Sequence, residues 1–171
     1  MAALVLTLLG DDRPGLVDAV SRVVCELGGN WERSQMARLG GKFAGIVQIE
    51  IADTRVADLR AALTLLSVDG SLHLTVDDAG VPPVTDGHRF VLSLVGTDRP
   101  GLIHTVSSAL AEVGASIEEL DTWTSNAPMS GGPLFEATAA VVLPGGVTIE
   151  SVRSQLEALA DRLMVDIELS S

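Results

Sequence analysis

The first half of the chain carries apolar residues in two different spacings. Residues 42–51 alternate, so that every second side chain from Phe43 to Ile51 shares one side, as in a half-buried strand. Residues 15–28 repeat apolar positions every three or four places, as on one face of a helix. The full pattern predicts strand, helix, strand, strand, helix and strand, at residues 4–9, 15–28, 30–39, 42–51, 53–66 and 71–76.

The second half of the chain repeats this order. A shift of 86 positions superimposes the first unit on the second as far as the hairpin, and after it the shift is 92, as from Phe43 to Phe135. An internal repeat of this kind predicts two similar folding units. The short hairpin at 40–41 becomes a longer loop at 126–133. The predicted elements of the second unit are 89–95, 101–113, 116–125, 134–143, 148–161 and 163–169.

We therefore predict two domains, 1–78 and 89–171, joined by a proline-containing linker at 79–88. Each β-α-β-β-α-β unit is expected to form a four-stranded antiparallel sheet with both helices on one face. The predicted class is α+β, with two ferredoxin-like units in tandem.

The face of each sheet that points away from the helices is also apolar. A face left to water should be more polar, so we expect part of it to be covered by the twin unit, by a second chain, or by both. The residues that carry this expectation are Val5, Leu9, Ile46, Val91 and Val95.

The net charge of the chain limits the classes of partner that we expect. The chain has 171 residues with 11 basic and 23 acidic side chains, a formal net charge of −12. Binding to a phosphate backbone needs clustered basic residues, and the sequence has no such cluster, so direct nucleic-acid binding is not expected. An acidic surface is either simply solvated or able to meet a basic protein partner.

No pattern of residues indicates catalysis, and we predict no catalytic residue, no cofactor and no metal site. The three histidines, His73, His88 and His104, lack metal-ligand spacing, and the single cysteine, Cys25, is interpreted as a small core residue of the first helix. The N-terminal apolar run is too short for a membrane span and lacks a basic segment before it. We expect a soluble cytoplasmic protein with no membrane partner.

The two units share one turn almost letter for letter. "GDDRPGL" at 10–16 and "GTDRPGL" at 96–102 differ only in the second position, and each joins the first strand of its unit to the first helix. One interpretation is structural, since an acid and a proline favour a helix start and a duplicated gene keeps its stabilising turns. The other is a ligand site, because exposed N–H groups at a helix N-terminus bind carboxylates or phosphates.

Five residues of the first turn have an expected role. Gly10 is expected to let the chain leave the strand at unusual backbone angles, and Pro14 to lie in the first helical turn. Gly15 should leave the first N–H groups approachable. Arg13 could pair with an anion or a neighbouring carboxylate, while Asp12 could cap the helix or accept an ammonium group.

The succession of strand, "DRPGL", helix, glycine and then "NW" or "SI" resembles the ACT domain, in both units. The stretch "SQMARLGGKFAGIV" narrows the resemblance to tandem-ACT proteins related to the glycine cleavage system transcriptional repressor. This resemblance implies a ferredoxin-like fold and ACT units paired side by side, as in a dimer or another homo-oligomer. It also implies amino-acid effectors bound between units, against the first loop and the start of the second strand.

Carried over residue by residue, the resemblance implies a ligand-binding set in each unit. The sets are Gly10, Asp11, Asp12, Arg13, Pro14, Gly15, Asn30 and Trp31, and Gly96, Thr97, Asp98, Arg99, Pro100, Gly101, Ser116 and Ile117. The two sets are unequal, because the amide of Asn30 offers both a donor and an acceptor and Ser116 has no amide. If one site is competent, we expect it to use Asn30. Trp31 is either a core or interface anchor or one wall of the pocket.

Three functional hypotheses follow. The first is a regulatory protein that binds a small amino acid, such as glycine or serine, and acts on a protein partner, for example a transcription regulator. The second is a protein-interaction or oligomerisation module that needs no ligand. The third is a small catalytic or accessory domain that uses the same cleft.

Overall fold

The computed structural model describes residues 1–68, 70–81, 87–126 and 132–170, and the chain divides into two compact units, Met1–Pro82 and Pro83–Ser171. Half of the predicted linker and most of the predicted 126–133 loop lie outside the described residues. Both units have the predicted order of elements, so the tandem ferredoxin-like α+β fold is confirmed.

Unit one forms an antiparallel sheet in the order β2-β3-β1-β4. A single 3-10 turn, Asp53–Arg55, precedes its second helix. Its elements are β1 (Ala2–Asp11), α1 (Leu16–Glu26), β2 (Asn30–Leu39), β3 (Lys42–Ile51), α2 (Val56–Leu66) and β4 (Leu72–Asp78).

Unit two forms the same sheet, in the order β6-β7-β5-β8. Its elements are β5 (Arg89–Thr97), α3 (Leu102–Glu112), β6 (Ser116–Asn126), β7 (Pro133–Val142), α4 (Ile149–Leu163) and β8 (Val165–Ser170). Thr148 caps α4, since its Oγ1 accepts a hydrogen bond of 3.3 Å from the N–H of Ser151.

Each unit has its own core between the sheet and its two helices, and this core is aliphatic apart from Phe90 in unit two. In unit one, alternate residues of β1 meet the buried stripes of α1 and α2, as strand and helix periodicity require. This core contains Leu4, Leu6, Leu8, Leu16, Val20, Val24, Val47, Ile49, Ile51, Leu59, Leu63 and Leu72. The core of unit two is built at equivalent positions and includes Leu92, Leu94, Leu102, Val106, Leu110, Val141, Val152 and Leu156.

The opposite face of each sheet carries the apolar residues predicted there. Leu9 and Ile46 of unit one are 47% and 49% exposed, and Val91 and Val95 of unit two are 38% and 37% exposed. Val5 is half-buried. Within this chain these side chains therefore keep a substantial part of their surface accessible.

The interpretation of Cys25 as a core residue of the first helix is wrong. Cys25 is exposed, because the buried stripe of α1 runs through Val20 and Val24 and the next residue lies about 100° further round the helix. No side-chain cap forms at the start of the second helix, so Asp53 does not cap it. The Asp53 carboxylate instead accepts a hydrogen bond of 2.7 Å from the N-terminal ammonium group of Met1.

Candidate functional site

The first turn is fixed at the end of the sheet. Gly10 and Asp11 still belong to β1 and pair with Phe43 and Lys42 of β3. The N–H of Asp12 then donates a hydrogen bond of 3.0 Å to the carbonyl of Gly41, in the β2–β3 hairpin. In unit two, the N–H of Asp98 donates equivalently to Pro133, at 2.9 Å. We call residues 10–16 the first corner and residues 96–102 the second corner.

Glycine is required where each corner becomes a helix. Gly15 and Gly101 are the N-caps of α1 and α3, with φ of 90° and 91°, a left-handed conformation that L side chains disfavour. Because the helix begins at Leu16, Pro14 precedes the N-cap, and the prediction that it lies in the first helical turn is wrong. Neither helix start has a side-chain cap, so Asp12 does not cap α1.

Gly10 has a different role from the one expected. Its backbone is ordinary strand, so the expectation of unusual angles is wrong. A Cβ on Gly10 would instead lie 2.6 Å from the carbonyl oxygen of Ser71. Gly96 has the same role in unit two, where a Cβ would lie 2.9 Å from the Cβ of Val165. These glycines allow the last strand of each unit to approach the first strand closely.

Ion pairs hold the carboxylates of the first corner. Lys42 donates a hydrogen bond to Asp11, which lowers the pKa of the Asp11 carboxyl, and the positive charge of Lys42 adds to this effect. Asp12 pairs with Arg38, with Nη1 and Oδ2 3.2 Å apart. Asp12 therefore meets a cation from β2, and a ligand ammonium group would have to compete with it.

A shallow pocket of about 230 Å³ opens beside this corner. Its lining includes Arg13, Pro14 and Gly15 of the corner, together with aliphatic side chains such as Leu66 and Leu72. The volume is below the range of about 300–1,000 Å³ typical of pockets for drug-sized ligands, so a small ligand fits better.

The second corner differs in its polar contacts. Arg99 is half-buried and donates a hydrogen bond to the carbonyl of Leu163, in the last turn of α4. Thr97 and Leu134 form the strand pair that corresponds to Asp11 and Lys42, so this ion pair has no counterpart in unit two. The near-identical turns are therefore chemically unequal beyond the Asn30 and Ser116 difference.

The structure places Asn30 and Trp31 far from the first corner within unit one. Asn30 pairs with Glu50, and Glu50 pairs with Ala3 near the start of β1. Asp11 of the first corner lies eight residues further along β1, a separation of about 26 Å at the usual rise per residue. Ser116 and Ile117 lie at the same remote end of unit two, since Ser116 pairs with Val142 opposite Arg89.

The remote end of unit one has a groove that the sequence did not reveal. Its volume is about 470 Å³, and its lining includes Trp31, Arg22 and the exposed Cys25. Trp31 is half-buried against the core, and its Nε1 donates a hydrogen bond of 3.2 Å to Ser34. Asn30 donates from its amide to the carboxylate of Glu32. Counting helical positions from Val24 would have indicated that Cys25 turns away from the core.

Two kinds of feature are absent from the part of the chain that the structure describes. Within it, no group of three or more histidine, cysteine, aspartate or glutamate residues is arranged to hold a metal ion. Across the same residues, no helix has the length and apolar character needed to cross a membrane.

Comparison with known proteins gives consistent results for both units. The ACT domain pattern matches residues 2–77 and again residues 88–170. A crystal structure of an unknown protein from Galdieria sulphuraria is 30% identical, with a TM-score of 0.87, over 99% of this chain and 97% of that one. A UPF0237 protein of Methanopyrus kandleri is 31% identical over 80 residues, which are 46% of this chain and 82% of that protein.

A further crystal structure shares the tandem fold at lower identity. It is described as a "putative glycine cleavage system transcriptional repressor" and has a TM-score of 0.74 at 22% identity. The alignment covers 99% of this chain and 96% of that one. The whole described architecture, with both units, is thus common to this pair.

Proposed function

The chain belongs to the ACT-domain family, and on this premise we propose that it is a non-enzymatic regulatory protein. It binds a small amino acid, with glycine and serine as the first candidates, and thereby changes its association with a protein partner. The partner proposed is a transcription regulator, by analogy with the repressor whose fold it shares. A net charge of −12 argues against direct action on DNA, because counterion release cannot favour such binding.

The observation that carries the proposal is the first corner. A helix N-terminus without a side-chain cap attracts a carboxylate, and Gly15 keeps it free of a Cβ. Arg13 lines the adjoining pocket and adds positive charge near an incoming anion. The small pocket and its aliphatic wall suit an amino acid with a short side chain.

The distance between the first corner and Asn30 within unit one limits how this site can form. An amino acid is much shorter than about 26 Å, so it cannot touch both the first corner and Asn30 of one unit. We therefore propose that Asn30 contributes from unit one of another copy of the chain. A homo-oligomer is then part of the proposed function.

Calorimetry against the common amino acids, with thermal shift as a second readout, tests the proposal. Arg13→Ala should weaken amino-acid binding by removing a positive charge beside the first corner. Asn30→Ala should weaken the same binding by removing the amide at the remote end of the unit. Ser116→Ala is the matched control for Asn30→Ala, because it removes a polar group from the equivalent position of unit two. Absence of heat and of thermal shift with every amino acid would remove the effector hypothesis.

A second candidate is an interaction module that needs no ligand. The outer sheet faces favour it, since Leu9 and Ile46 remain about half exposed where solvent-facing strands usually carry polar residues. Sedimentation in the absence of amino acids distinguishes the two candidates. Association that is complete without ligand and unchanged by ligand supports the second, and association that changes with ligand supports the first.

A further inference from the structure

The outer face of the unit-two sheet combines acidic and apolar residues in a defined order. One row across the four strands runs Trp123, Glu136, Val95 and Asp166. The next row along the outer face runs Asp121, Thr138, Ser93 and Glu168. Adding Glu119, which pairs with Ala140, gives the acidic sheet face: Glu119, Asp121, Glu136, Asp166 and Glu168.

This face points away from the core and is accessible. Phe90, Leu92 and Leu94 of β5 are buried on the helix side, so Val91 and Val95 project from the other side. Trp123 is 47% exposed, although a tryptophan of a folded protein is usually well buried. Exposed aromatic and branched aliphatic residues beside charges are typical of a protein-binding surface.

The acidity of this face is not a requirement of the fold, because unit one has the same fold without it. The sheet positions equivalent to the acidic sheet face carry no carboxylate there. In the order used above, they are Arg33, Gln35, Ala44, His73 and Thr75. Among the described residues of the unit-two face, the one cation is Arg89, at the end of β5, and it is paired with Glu118 at 3.0 Å. β6 and β8 each carry two of these carboxylates, two residues apart on the same face, and their like charges repel, so a cationic partner would relieve this repulsion.

The spacing of the charges indicates the shape of the partner. Four of the five carboxylates lie on the edge strands β6 and β8, which are three strand spacings apart, or about 14 Å. The strip between them, on β7 and β5, includes Ala140, Val91 and Val95. An α-helix about 10–12 Å wide fits between the two acidic edges, with apolar residues on the strip. Long Lys or Arg side chains on its flanks reach both edges.

We propose that this outer face of unit two docks a basic amphipathic helix of a partner protein. Apolar residues of that helix cover Val91, Val95 and Trp123, and its cations pair with the carboxylates of β6 and β8. This inference rests on the proposed function only in requiring a protein partner. It does not depend on the amino-acid effector.

A designed probe tests the surface on the full-length protein. The probe is a helical peptide of about 18 residues, with Leu along one side and Lys along the other, titrated into ¹⁵N-labelled protein. The indole N–H signal of Trp123 and the amide signals of Val91 and Val95 should shift. The indole signal of Trp31, in unit one, should not shift. The same peptide with Glu in place of Lys should not bind.

Matched charge variants distinguish docking of the peptide on the acidic sheet face from general electrostatic attraction between peptide and protein. The combined variant Asp121→Asn, Asp166→Asn and Glu168→Gln should weaken the peptide Kd by about tenfold or more, since it removes charges from both edges. The control variant Glu112→Gln, Glu157→Gln and Asp161→Asn removes the same charge from exposed helix positions and should change Kd by less than about twofold. If the first variant fails to fold, Trp123→Ser replaces it, with the same expected loss.

Three results would overturn the inference: equal weakening by both charge variants, signal shifts centred on unit one, or no binding at about 1 mM peptide. Calorimetry with amino acids on the same preparations reports separately on the effector. If the protein binds the peptide but no amino acid, only the effector proposal is contradicted. If it binds an amino acid but not the peptide, only the docking inference is contradicted.

Discussion

Gly10 faces the carbonyl oxygen of Ser71 so closely that an added Cβ would lie 2.6 Å from that oxygen. Since the obstacle is backbone, it cannot move aside without shifting the start of β4. In unit two, Gly96 has a comparable constraint, but there the nearest obstacle is the side chain of Val165. Two glycines that frame each corner thus act differently, Gly10 through close approach of strands and Gly15 through a left-handed backbone.

Alanine at either glycine is expected to destabilise unit one. Gly10→Ala should cost about 2 kcal/mol through overpacking, and Gly15→Ala about 1 kcal/mol through strain at positive φ. Chemical denaturation measures both changes. Gly80→Ala is the control, because a Cβ there has no neighbour within 4 Å and the φ of Gly80 is not in the left-handed region. A loss at Gly80 as large as at Gly10 would contradict this explanation.

The Asp11–Lys42 pair should be visible in an acid titration. Because Lys42 donates a hydrogen bond to Asp11, the pKa of that carboxyl lies below its ordinary value of 3.8. The pair therefore stabilises the fold above the ordinary pKa, and its contribution is lost as the pH falls through the lowered value. Carboxyl NMR should show a higher pKa for Asp11 in Lys42→Met. Arg38→Met, which removes the partner of Asp12, should leave the Asp11 pKa unchanged.

The thiol of Cys25 should react in the native protein. It lies exposed in the groove beside Trp31, so a thiol reagent such as dithionitrobenzoate should label one equivalent without denaturant. Adding denaturant should not raise the number of labelled thiols, and Cys25→Ser should abolish labelling. A thiol that becomes reactive only on unfolding would show that the residue is buried after all.

Arg99 is expected to matter for the stability of unit two. It joins the second corner to the end of α4 through the Leu163 carbonyl, so Arg99→Met should cost about 1 kcal/mol, the order expected for a partly exposed hydrogen bond from a charged donor. Thermal unfolding measures the loss. Arg153→Met, at an exposed position of α4, should change stability by less than about 0.5 kcal/mol. Equal losses of stability in the two variants would mean that the hydrogen bond from Arg99 to the Leu163 carbonyl contributes nothing.

The sequence predicted the fold well because periodicity is a local property. The bounds of β2 and β3 match the expected 30–39 and 42–51, since each strand is bounded by glycine or by a change in alternation. The reason for Gly10 could not be predicted, because it depends on a strand 61 positions further along the chain. The distance of Asn30 from the corner likewise depends on the pairing of β2 with β3 rather than on sequence spacing.

That distance has a thermodynamic consequence. A ligand held at the first corner by one unit and by Asn30 of another is a cross-link, so its binding and the association of the chain are linked equilibria. The apparent affinity for the amino acid should then rise with protein concentration and fall on dilution. In a cell, such a protein would respond to its own abundance together with the level of the amino acid.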